Sequence, residues 1–333
     1  MHNPPRPLAR IAAPAAALIA LLAAASGPLG ATDNVPIAEV VEEITVTGER
    51  AGPGLWKLRN GDNTLYILGT LSPLPKKLEW RSREVEDVLA RAQQFIPANP
   101  KVDADIGPIK ATQLYLQWRK LRGNADKETL ESVLTPDLFE RFETLRRKYA
   151  PDNRGMLKRR PVLAAGELWL DALSRSGLTP RDDIGKSVEK LARSRRVPIV
   201  TRTLKIEDPK GTLAEVAQIP LEAEIRCMTA MLGRMETDLT AARQRAEAWS
   251  VGDVAALRSS TVSDQQEVCR SALLSGQKIA SLRKEFEDGW FDMAVAALEQ
   301  HPTTLAIMPI DNLLRRDGAL DRMRARGYLV EEP

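Results

Sequence analysis

Histidine is what this sequence has least of. The 333 residues contain two, His2 and His301, and His2 lies in the N-terminal leader described below. A zinc site built on imidazoles needs several such ligands, so that chemistry is close to excluded. Cysteine is equally scarce, with only Cys227 and Cys269. Aromatics make up 5% of the chain, and six of them are tryptophan. A sugar site would want aromatic faces for stacking. Here Trp56, Trp80, Trp118, Trp169, Trp249 and Trp290 are dispersed, mostly at apolar helical positions, which reads as core packing. A two-carboxylate glycosidase therefore has weak support.

An excess of one charge is also missing. There are 48 basic and 45 acidic residues, a net +3, so nothing favours nucleic acid as a partner. Basic runs such as Arg146-Arg147-Lys148 and Lys158-Arg159-Arg160 have acids around them and read as solvated helix faces. No glycine-rich phosphate loop or dinucleotide fingerprint is present. The Gly-x-Ser-x-Gly elbow of serine hydrolases is absent too. A Ser-His-Asp arrangement would have to use His301, which stands before Pro302 between a helix and a strand and reads as a capping or solvent-facing residue. No EF-hand loop occurs. Asp103 and Asp105 with Asp311 are conceivable ligands for calcium or magnesium, but surface acids are the simpler reading.

What is present begins with a leader. Arg6 and Arg10 precede the uncharged stretch from Ile11 to Ala25, and small residues follow at Ala25-Ser26-Gly27 and Gly30-Ala31. This is the pattern of a secretory signal over residues 1–31, cleaved after Ala25 or Ala31. The apolar run is about 15 residues, short of the ~20 needed to span a bilayer as a helix. The expected mature protein is soluble, periplasmic or secreted, and not integral to the membrane. In that oxidising setting Cys227 and Cys269 are expected to form one disulfide around 41 intervening residues, with two buried thiols as the alternative.

Residues 32–54 read as a flexible linker with one strand-like piece, Glu42 to Gly48. The folded region opens with a strand at Leu55–Leu58, a turn at Gly61-Asp62-Asn63, and a nearly continuous apolar strand at Thr64–Leu71. Helical spacing follows over Ser82–Ala92, then a strand at Gln94–Ala98 in which Pro97 argues for an edge. Helices are expected at Thr112–Leu121, Asp126–Val133, Pro136–Tyr149, Pro161–Ser176 and Asp183–Arg196. Thr135 and Pro136 supply the cap and first position of the third of these. A strand at Val197–Thr203 comes next, and residues 210–300 are almost wholly helical. Leu305–Met308 is a late strand, Asp317–Arg326 a helix stopped by Gly327, and Tyr328–Val330 a last strand. Strands gather at both ends of the chain. The fold class is therefore α/β, with a central mixed sheet built from N- and C-terminal segments and a large inserted helical block.

Several stretches carry a resemblance. Leu55-Trp56-Lys57, the hairpin, Leu68-Gly69-Thr70-Leu71-Ser72-Pro73-Leu74-Pro75, and the helix from Trp80-Arg81-Ser82 to Ala92 are similar to the opening of TraB/GumN proteins. Lys190-Leu191-Ala192 to Val200 resembles that family's helix-to-strand step. Asp317-Gly318-Ala319-Leu320 and Arg326-Gly327-Tyr328-Leu329-Val330 resemble its close, so the likeness covers residues 55–330. It implies a fold related to the TIKI-type membrane-tethered metalloproteases. There two Gly-x-x-His motifs and acidic residues at strand ends are thought to hold a divalent metal that activates water. This chain departs from that pattern at each matching position. The first motif reads Gly69-Thr70-Leu71-Ser72, and the second reads Pro309-Ile310-Asp311-Asn312. The two expected glutamates fall at Ala98 and Arg202. The polar set Gly69, Thr70, Ser72, Arg202, Asp311 and Asn312 remains as a candidate cleft for a small polar or anionic ligand at the strand ends. The expectation is a non-catalytic protein with no cofactor, which binds such a ligand or an envelope protein. The alternatives are a divergent metallohydrolase or peptidase, with a divalent metal, and a helical interaction scaffold.

Overall fold

The computed structural model describes residues 52–333 apart from Glu79, Arg81, Asp105, Asp182, Asp238, 260–268, Arg270 and 272–275. The leader, the strand-like piece Glu42 to Gly48 and Asp105 lie outside the described residues.

The sheet starts with a hairpin. β1 (Leu55–Asn60) and β2 (Asn63–Thr70) pair antiparallel around Gly61, whose φ of 58° is one that a side chain would strain. β2 is buried along most of its length because it is covered on both sides. Its second neighbour comes from the far end of the chain. β8 (Thr303–Pro309) runs parallel to β2, with Leu65 opposite Thr304 and Thr70 opposite Pro309. β4 (Gln94–Ile96) pairs parallel with the other side of β8, and β9 (Leu329–Glu331) pairs antiparallel with β1. The five-stranded order is β4-β8-β2-β1-β9, a mixed sheet assembled from both ends of the sequence.

Helices cover it. α1 (Arg83–Arg91) buries Val85, Val88 and Leu89. Between β4 and the helical block, β5 (Lys101–Asp103) precedes α2 (Pro108–Leu121), the one-turn α3 (Leu130–Val133), α4 (Pro136–Tyr149) and α5 (Pro161–Arg175). After the short β6 (Leu178–Thr179) come α6 (Asp183–Ser194) and β7 (Thr203–Lys205). The block then runs through α7 (Pro209–Ala217), α8 (Leu221–Thr237), α9 (Leu239–Ser250), α10 (Val254–Ser259) and α11 (Gln277–Gln300). α12 (Ile310–Leu314) and α13 (Ala319–Ala325) close the chain before β9. One core packs the sheet against α1, α6, α9 and α11, and a second lies among α4, α5 and α8. A short strand β3 (Leu74–Pro75) pairs with β6, and β5 pairs with β7. Cys227 and Cys269 are disulfide-bonded and buried beside Val162, Leu163 and Ala230.

Three expectations are corrected. The helix expected at Asp126–Val133 is a 3-10 turn at Ala125–Lys127 followed by α3, because Asp126 and Lys127 take positive φ angles of 51° and 60°. The strand expected at Val197–Thr203 is a single bridge from Ile199 to Phe95, with β7 starting only at Thr203. The Phe95 N–H donates to the Pro198 carbonyl and the Val200 N–H to the Phe95 carbonyl, but Pro97 and Pro198 lack the N–H groups that would extend the ladder to either side. Thr135 is the N-cap of α4 in backbone terms, but its side chain makes no capping hydrogen bond.

Candidate functional site

Parallel pairing of β2 and β8 delivers both strand ends to one edge of the sheet. Gly69 lies opposite Met308 and Thr70 opposite Pro309, and α12 starts at once with Ile310, Asp311 and Asn312. Gly69, Thr70 and Asp311 therefore lie at the same edge of the sheet, and Asn312, half-buried, follows. Their polar groups are directed to one another and to the covering helices. Thr70 Oγ1 donates to the Met308 carbonyl at 3.5 Å. The Trp249 indole N–H donates to the Gly69 carbonyl at 2.6 Å, and the Trp290 N–H donates to the Ile307 carbonyl at 3.1 Å. No room remains at Gly69, where an added Cβ would stand 2.8 Å from the Trp56 ring and 3.1 Å from Ile310.

The Asp311 carboxylate stands at this edge, and it already has a partner. Arg245 of α9 donates to Asp311 Oδ1 at 2.5 Å, with both side chains 8% exposed. Burial pushes the Asp311 carboxyl above its ordinary value, opposed first by Arg245 and then by Arg234 of α8. The Arg234 guanidinium lies 4.6 Å from the centre of the Trp169 ring. Two cations thus bear on one buried acid.

Ser72 and Arg202 are held elsewhere. Ser72 is exposed and donates to the Pro180 carbonyl at 3.1 Å. Arg202 lies beyond the β4 edge, where its carbonyl accepts from the Lys101 N–H. Its side chain crosses α11 at Gly289 and comes 3.9 Å from Asp292. Ala98 is buried and offers no ligand atom. His301 is the half-buried C-cap of α11, as far as its backbone goes.

The residues do not fit a divalent metal. A cation at the strand ends would meet the guanidinium of Arg245 at Asp311, and like charges at such range repel strongly in a buried setting. Among the described residues, no three His, Cys, Asp or Glu side chains converge closely enough to hold a metal ion.

Arg245, Arg234 and Trp249 are not among the site residues expected from sequence, because they come from the helical block, Arg245 lying 66 residues before Asp311. A signal for Arg245 does exist. Arg245, Ala246 and Trp249 fall on one side of α9 and all three are buried, so an arginine stands in the apolar stripe of the helix. An arginine there demands a buried acceptor.

The model of the TraB/PrgY/gumN family matches residues 54–332. The chain belongs to this family. No curated protein and no solved structure matches it. In this TraB/PrgY/gumN chain the ends of β2 and β8 lie side by side. They are sealed by indole and guanidinium groups from α9 and α11.

Proposed function

We propose that this TraB/PrgY/gumN protein is a non-catalytic, exported member that binds a ligand or partner in the cell envelope. The observation that carries the reading is the buried Arg245–Asp311 pair. A hydrolase of the expected type needs its strand-end acids free to hold a metal or to activate water. Here the acid is consumed by an arginine, and the hydroxyl that stands in the first histidine position is turned to a backbone carbonyl. Gly69 and the two indoles supply packing and backbone capping, a structural task. Export is supported by the leader pattern and by the buried disulfide. No described helix is long and apolar enough to cross a membrane.

The test is a titration of the purified protein with manganese, cobalt, zinc and calcium, read by metal content and thermal unfolding. The expected result is no stoichiometric metal and no rise in Tm up to millimolar metal. A stoichiometric metal whose stabilisation disappears in Asp311→Asn would overturn the reading.

A further inference from the structure

Helix α2 is turned the wrong way round for a core element. Although 14 residues long and rich in apolar side chains, it has no buried residue. Ala111, Leu114, Gln117, Trp118 and Leu121 are half-buried on its inner side. Ile109 and Leu116, seven residues apart and so on one stripe, lie at the centre of the outer side, 77% and 52% exposed. Tyr115 adjoins them at 47%. Residues 106–125 contain Lys110, Arg119, Lys120 and Arg122 and not one acid. The helix forms one wall of an open groove of about 1390 Å³, whose other wall brings Lys205 and Lys210. The acids of that groove, Asp103, Glu207 and Asp208, come from outside the helix, and Asp208 is held by Lys278 and by the Gly211 N–H.

We propose that the outer face of α2 is a docking surface for an anionic lipid bilayer, with Ile109 and Leu116 entering the headgroup boundary and Lys110, Arg119 and Lys120 meeting lipid phosphates. Protruding apolar tips inside a cationic rim are the pattern of a helix that lies in the plane of a membrane surface. A protein partner fits less well, because interface anchors are chiefly aromatic or arginine side chains, whereas the most exposed apolar side chains here are the aliphatic Ile109 and Leu116. A second copy meeting the same face about a twofold axis would set Lys110, Arg119 and Lys120 against their own equivalents, a like-charge juxtaposition that disfavours pairing. This surface supplies a partner for the binding role proposed above, and its test is separate from the metal titration: vesicle binding can fail while the strand ends remain metal-free, and the reverse.

The experiment is co-sedimentation of the full chain with vesicles of phosphatidylcholine alone and of equal parts phosphatidylcholine and phosphatidylglycerol. Every variant is compared with a wild type of identical N-terminus, so any contribution of residues 1–31 cancels. Wild type is expected to partition onto the anionic vesicles and to be released by high salt. Lys110→Glu with Lys120→Glu should lower partitioning on the order of twentyfold, and Ile109→Ser with Leu116→Ser about tenfold. All four positions are solvent-facing, and unchanged Tm confirms that the variants fold. Equal binding to both vesicle types, no binding to either, or anionic binding that both double variants retain would each overturn the proposal. So would a dimer in sedimentation velocity that Ile109→Ser with Leu116→Ser dissolves, since the face would then be occupied by a second copy.

Discussion

At the residue scale the Arg245–Asp311 pair dominates. A buried pair stabilises little compared with a well-packed apolar replacement, yet removing one member leaves a charge stranded in low dielectric. Arg245→Met and Asp311→Leu alone are each expected to cost about 3–5 kcal/mol in urea unfolding, while the double variant recovers most of that loss. Additive losses would show that the two side chains do not interact. Gly69 makes a complementary point. It matches the glycine of a Gly-x-x-His motif, but packing against Trp56 and Ile310 is enough to require it. Gly69→Ala should destabilise by about 1–3 kcal/mol through overpacking, with or without metal in the buffer.

At the element scale, α4 carries a carboxylate with a definite pH signature. Glu143 accepts from Arg146 at 2.6 Å and from Arg147 at 2.9 Å. The hydrogen bond from Arg146 holds its carboxyl below the ordinary 4.5, with Arg147 adding to this and burial opposing it. Because the folded value is depressed, the unfolded chain takes up a proton first as pH falls. The contribution is therefore full above 4.5 and is lost as pH drops through the depressed folded value. Glu143→Gln should be less stable than wild type at neutral pH by about 1–3 kcal/mol, and the gap should narrow on acidification below 4.5. A gap independent of pH would mean that the pair contributes nothing through ionisation. The disulfide links α8 to the segment before α11, across 42 positions of sequence. Reduction should remove about 3–4 kcal/mol of stability, seen as a lower urea midpoint with dithiothreitol than without.

The elements most legible in the sequence were those whose pattern is local. The hairpin turn at Gly61 and the apolar run of β2 are written in adjacent residues, as is the start of α4 at Pro136. Misread segments depended on partners elsewhere. Val197–Thr203 has strand composition, but Pro97 and Pro198 leave its ladder with β4 a single bridge, and Asp126 adopts a left-handed turn that composition does not announce. The site followed the same rule. The motif positions point to strand ends, which joins Gly69, Thr70 and Asp311 at one sheet edge, whereas the Arg202 side chain, expected there by the same logic, lies against α11. The arginine that neutralises Asp311 arrives from a helix whose docking no local pattern declares.

At the scale of the whole molecule, stability hangs on pairings between the two ends of the chain. β9 covers the open edge of β1, and Glu331 adds an ion pair to Arg59. Truncation after Gly327 should uncover that edge, lower the thermal midpoint and promote aggregation, measurable by light scattering. An unchanged midpoint would show that β9 is dispensable.

The sheet order has one further consequence, which concerns time. β8 lies between β4 and β2, yet it leaves the ribosome long after both of them. Until Thr303–Pro309 arrives, the early strands have a gap where their central neighbour belongs, and the core cannot close. The sheet therefore stays unfinished until β8 has emerged. A product cut short before β8 has no route to the native sheet. Completeness is therefore checked by the order of the strands themselves, with no separate proofreading device.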